Sequence, residues 1–142
     1  RSRWFGNKRA VELKEQYEKE NNFKYDVVIV GRYDLWINDV FQLQDLEKGY
    51  FYACKRTNGD ALRDDHEYAL QDQIFLGDSE LVDKFYTLYD YIPDYAIEAP
   101  KAAWEHMERF IGVDKFKFFP WKLHKEYNLL RWKYSEGQLL GL

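Results

Sequence analysis

The chain of 142 residues is long enough for one domain, and its 12 Tyr, 10 Phe and 5 Trp supply the bulk to fill a core. A formal charge of −4 with evenly scattered Lys, Arg, Asp and Glu argues against a nucleic-acid binder, which needs a concentrated basic face; the most basic stretch, 115–125, is modest. Cys54 is the only cysteine, which excludes an intramolecular disulfide and a thiolate metal cluster and fits a reducing, cytoplasmic setting. No apolar run approaches the ~18 residues of a membrane span.

The chain opens at Arg1 without a methionine, in what reads as a strand-to-helix connection. The expectation is a chain truncated at its N-terminus, with further strands upstream. Residues 7–21 space Ala10, Val11, Leu13 and Tyr17 among Lys and Glu, which predicts an amphipathic helix with Asn7 as N-cap. Residues 23–30 follow as a strand whose β-branched run has no wet face. That predicts a central strand of a parallel α/β sheet, covered on both sides, completing a βαβ unit. The run stops at Gly31-Arg32-Tyr33-Asp34, at the kind of strand end where open α/β sheets bind ligands.

Residues 35–41 are mixed, and 49–55 read as a second strand. Residues 56–66 form a polar loop with the turn signal Asn58-Gly59-Asp60 and the acidic pair Asp64-Asp65, either a lid over a site or plain solvated chain. A short strand at 73–76 closes at Gly77. Ser79 then reads as the N-cap of a helix through Tyr89, with Leu81, Val82, Phe85, Leu88 and Tyr89 on one face. A further helix runs from Pro100 to Ile111 and stops at Gly112, following the preference for proline at helix starts and glycine past helix ends. Residues 116–119 predict a last strand and 123–134 a short helix or turn. The whole reads as a single α/β domain spanning 1–142.

The chemistry concentrates at Arg32 and Asp34, where a planar fork for phosphate or carboxylate stands beside a hard-cation ligand. The same two residues equally describe a structural salt bridge at a strand end. Asp72 is the best-placed carboxylate for general-base work, with capping or a salt bridge as the competing role. His124 lies among aromatic residues, where packing competes with metal ligation; His66 and His106 are weaker candidates, His106 as helix packing. Cys54 follows strand residues and reads as sheet packing. Signatures of phosphate-binding loops, dinucleotide folds, serine hydrolases and zinc proteases are absent from the sequence.

Taken in order, Tyr25-Asp26-Val-Val-Ile-Val-Gly-Arg32-Tyr33-Asp34, then Asp72-Gln73-Ile74-Phe75-Leu76-Gly77, then Trp104-Glu105-His106-Met107, the 116–119 strand and the tail 123–131 with Arg131 form an ordered set. This set resembles the C-terminal two-thirds of small nucleotide-sugar glycosyltransferase domains of bacterial surface-polysaccharide and large-virus type. The resemblance implies a GT-A-like mixed sheet flanked by helices. It also implies transfer of a sugar from a nucleotide-diphosphate donor to a glycan or other hydroxyl acceptor. Asp34 would stand for the carboxylate of a DxD-type site holding Mn²⁺ or Mg²⁺, His124 would close that site from the tail, Arg32 would hold donor phosphate, and Asp72 would face the acceptor. The chain departs from the family pattern in two places. Residue 32 is Arg where a full DxD has an acid, and Ala99-Pro100-Lys101 replaces a Pro-Glu helix opening, leaving Glu98 or Glu105 as substitutes. The alternative is a non-catalytic structural or protein- or glycan-interaction module derived from such a fold.

Overall fold

The computed structural model describes residues 2–40, 42–55, 69–95, 97–121 and 127–129. The first helix, α1 (Ser2–Glu20), starts earlier than the apolar spacing predicts. The residues it buries are Trp4, Val11 and Glu18, each two turns from the next, whereas Leu13 and Tyr17 are exposed. The inward stripe thus contains one aromatic, one aliphatic and one carboxylate, a pattern that apolar periodicity cannot find. The helix closes with the Phe23 N–H donating to the Glu18 carbonyl at 3.2 Å across Asn22, which has φ +54°. This is a Schellman-type end, with Asn in the left-handed conformation it tolerates.

Strand β1 (Val28–Gly31) differs from the expectation of a central parallel strand. It is an edge strand, antiparallel to β4 (Leu70–Gly77), pairing Val28 with Gly77 and Gly31 with Ile74. Val28 and Val30 pack on the core while Ile29 is 48% exposed. The run is four residues long, so its two core contacts satisfy it without a second covered face. The strand with no wet face is β4, read from sequence as a short piece at 73–76. It lies between β1 and β3 (Phe51–Lys55) and is buried everywhere except at Asp72. Strand β5 (Phe116–Phe119) pairs parallel to β3, giving a mixed sheet in the order β1-β4-β3-β5.

Alternation along β3 and β4 separates two cores. Phe51, Ala53 and Phe75 meet α1, α2 (Ser79–Tyr86) and α4 (Ala99–Phe110) through Trp4, Val11, Val82, Phe85, Ala103 and Met107. Tyr52, Cys54, Ile74 and Leu76 face the other way, onto Phe119, Trp121 and Tyr127. A two-stranded antiparallel ribbon brings residues to that second face: β2 (Leu35–Ile37) pairs with β6 (Tyr127–Leu129), Leu35 opposite Leu129. A strand therefore occupies part of the 123–134 stretch expected to be helix or turn.

The helix expected at 79–89 breaks at Thr87, whose hydroxyl donates to the Lys84 carbonyl at 2.7 Å, and α3 (Leu88–Tyr91) continues beyond it. Its N-cap is Asp78, one residue before the expected Ser79. Asp78 accepts a hydrogen bond from the Gly49 N–H at 2.7 Å, and Ser79 turns its hydroxyl to Glu18 instead. Gly77 ends β4 where a Cβ would lie 2.9 Å from the Tyr50 carbonyl oxygen, so the backbones approach too closely for any side chain. Among the described residues no helix is long and apolar enough to cross a membrane.

Candidate functional site

Arg32 leaves β1 with its N–H donating to the Gln73 carbonyl at 3.2 Å, which extends the β1–β4 ladder one residue past the strand. A turn closes as the Leu35 N–H donates to the Arg32 carbonyl at 3.4 Å. Alternation across that turn sends Tyr33 fully into solvent and keeps Arg32 and Asp34 partly buried, their side chains 18% and 15% exposed. Arg32 Nε donates to Asp34 Oδ1 at 2.7 Å and Nη2 to Oδ2 at 2.6 Å, a bidentate pair. That hydrogen bonding, with help from the Asp34 and Asp72 charges and against the cost of burial, holds the guanidinium protonated more firmly than usual.

Asp72 owes its position to an irregularity in β4. Ala53 of β3 faces Phe75, yet Lys55 faces Leu70, so one residue of β3 spans the same ladder as the four residues from Gln71 to Ile74. A bulge of this kind re-aims side chains. It makes Asp72 the one half-buried residue of an otherwise buried strand. Its Oδ2 accepts a hydrogen bond from Arg3 Nη2, the two side chains being 29% and 15% exposed. Arg3 also lies over the Trp4 ring at 5.2 Å, and its buried Nε has no hydrogen-bond acceptor among the described residues.

The structure thus brings Arg32, Asp34 and Asp72 together and adds Arg3, which sequence reasoning missed. Close by, the Tyr86 hydroxyl is fully buried; burial pushes its ionisation upward, and it feels the charges of both Arg3 and Asp72. No local signal marks Arg3, because its partner lies 69 residues away in the chain. His124, His66, Asp64 and Asp65 lie outside the described residues. Among the described residues no group of three or more His, Cys, Asp or Glu side chains converges as metal ligands do.

The other candidates sit elsewhere. His106 is fully buried on α4, its Nδ1 2.7 Å from the Tyr95 hydroxyl and its Nε2 3.1 Å from the Thr87 hydroxyl. Burial lowers its pKa to about 4, so it is a neutral packing residue tying α4 to the turn after α2. Glu98 is the N-cap of α4 and forms an exposed pair with Lys101 at 3.7 Å, while Glu105 is exposed on the same helix. Cys54 is buried in the second core.

A cleft of about 480 Å³ opens beside that second core, lined by Asp45, Glu47, Tyr52, Lys117 and Trp121 among others. None of the four clustered charges lines it. The chemistry gathers at the β1 end of the sheet, and we take the charged cluster as the candidate site because cavity size alone assigns no role. Compared with known proteins, the chain matches no family model, no curated protein and no solved structure.

Proposed function

We propose that residues 1–142 form a single GT-A-like glycosyltransferase domain of the cytoplasm. It would transfer a sugar from a nucleotide-diphosphate donor to a hydroxyl acceptor such as a glycan. The observation that carries the reading is the convergence of two arginines and two aspartates at one edge of the sheet, with Asp72 delivered there by a bulge in a buried strand. Transfer requires the acceptor oxygen to bond to the anomeric carbon while the bond from that carbon to the diphosphate oxygen breaks. The electron pair leaves with the diphosphate, and the acceptor proton must go to a base. In this reading Arg32 meets the charge developing on the leaving diphosphate, and Asp72 takes the proton.

The resemblance also implies Mn²⁺ or Mg²⁺ at Asp34 with His124 as a further ligand. Arg32 holds both Asp34 oxygens, and Asp72 is bound to Arg3, so the described donor set does not fit a hard cation as it stands. Charge neutralisation is therefore assigned to guanidinium, and no step runs through a metal.

The same ion pairing favours the second reading, a non-catalytic module, because an aspartate already neutralised by arginine is also how a structural pair looks. Titrating nucleotide-diphosphate sugars into the protein, with and without Mn²⁺, separates the two. The enzyme reading expects wild type to bind at least one donor, Arg32→Gln to lose it, and Asp72→Asn to keep binding but lose transfer. No binding by wild type to any donor under either condition refutes it.

A further inference from the structure

We propose that Arg3 and Arg32 form a two-guanidinium clamp for a diphosphate, in which each arginine exchanges its aspartate for phosphate oxygens. The proposal rests on the donor reading above only for the identity of the anion. Among the described residues the cluster sets two guanidinium groups against two carboxylates, so an incoming polyanion has to displace a carboxylate from each arginine it takes. The donors for exchange are present. Arg3 spends one Nη2 contact on Asp72 while its buried Nε has no acceptor among the described residues, and the contact of Arg32 with Asp34 uses only Nε and Nη2 of its fork.

A buried N–H without an acceptor is a standing cost that a ligand oxygen removes. Diphosphate supplies more acceptor oxygens than a carboxylate and suits the planar guanidinium fork. Both pairs are accessible enough to open, since all four side chains retain solvent exposure between 15% and 29%. Exchange at Arg3 has a second effect. It releases Asp72 from its guanidinium partner, so the carboxylate assigned to the acceptor proton becomes available after the donor has bound.

The clamp makes a prediction opposite in sign to a carboxylate-held metal. If the aspartates compete with the ligand for the arginines, removing an aspartate charge strengthens anion binding. The experiment is calorimetric titration of inorganic pyrophosphate into the full chain in EDTA, with sulfate at matched ionic strength as the control anion. Asp34→Asn and Asp72→Asn should each bind pyrophosphate roughly two- to fivefold more tightly than wild type, the factor set by a partly exposed ion pair. Arg3→Gln and Arg32→Gln should each weaken binding about tenfold or more. Arg3→Lys should fall between Arg3→Gln and wild type, because it keeps the charge and loses the fork.

Thermal melting of each variant checks that it is folded. Arg3→Gln binding pyrophosphate like wild type while folded would overturn the clamp, as would sulfate binding as well as pyrophosphate. Binding that appears only with Mn²⁺ and vanishes in Asp34→Asn would overturn it too, yet leave the sugar-transfer reading standing. Pyrophosphate binding with the expected signs, but no binding of any nucleotide sugar, supports the clamp and defeats that reading.

Discussion

Glu18→Gln should destabilise the protein by about 2 kcal/mol at neutral pH, and the loss should fade on acidification. Glu18 is 1% exposed on the inward stripe of α1. Its carboxylate accepts hydrogen bonds from the Ser79 hydroxyl at 2.6 Å, the Tyr25 N–H at 2.9 Å, Lys14 Nζ at 3.0 Å and Lys24 Nζ at 3.1 Å. Burial by itself would push the pKa up; those four donors outweigh it and bring it from 4.5 down to about 2. At about 1.4 kcal/mol per pH unit, that difference corresponds to a ceiling of about 3 kcal/mol. Lys24 is 55% exposed, so water screens part of the interaction and about 2 kcal/mol is the expected share.

The sign follows from the depressed value. As pH falls below 4.5 the unfolded chain takes up the proton first, so the stabilisation is whole above 4.5 and is lost as pH approaches 2. Glutamine keeps an acceptor for Ser79 and Tyr25 but offers no charge to Lys14 or Lys24. Urea denaturation followed by tryptophan fluorescence, for wild type and variant at pH 7 and pH 2.5, reads both effects. The gap at pH 2.5 should be about a quarter of its neutral value. A variant within about 0.5 kcal/mol of wild type at pH 7, or a gap unchanged at pH 2.5, refutes the reasoning.

His106 gives a second pH signature. Burial holds its pKa near 4 against an ordinary 6.5, so the unfolded chain protonates first and stability falls as pH drops from 6.5 toward 4. Its imidazole resonances should stay constant from pH 7.5 to about 5, and His106→Asn should flatten the stability profile across that window; an imidazole that titrates near 6.5 contradicts this placement. Gly77→Ala should cost about 2 kcal/mol or more, because the new Cβ would meet backbone atoms at 2.9 and 3.2 Å that no side-chain rotation can move. A melting temperature unchanged from wild type would show that the β3–β4 contact is looser than described.

Where local chemistry decides, the sequence was readable. Pro100 opens α4 and Gly112 follows it at φ +89°, so composition alone placed the helix nearly to its ends. The aromatic run at 116–119 is a strand because no helical face could use four consecutive large residues with one charge among them. Pairing partners were not readable. Nothing in Val28–Gly31 says edge rather than centre, since that depends on which strand arrives beside it, and β4 claims the middle with more buried residues. The inward face of α1 escapes apolar periodicity for a related reason: Glu18 is buried by ion pairing and hydrogen bonding, which no hydrophobic pattern records.

The candidate site divides along the same line. Arg32 and Asp34 pair across a two-residue spacing, so their meeting was open to a reading of the turn, whereas Arg3 and Asp72 meet only because α1 packs beside α2 and β4 bulges. Glu18 connects these facts. By tying the C-terminal end of α1 to Ser79 at the start of α2, and through Lys14 to Asp83, it fixes the helix that carries Arg3 at its other end. A buried ion-pair hub adds less stability than a well-packed apolar one of the same size, and its advantage is directional. In this protein the direction it sets is that of α1, and with it the reach of Arg3 to the bulged Asp72. The charged cluster at the sheet edge therefore depends on a second charged cluster at the far end of the same helix.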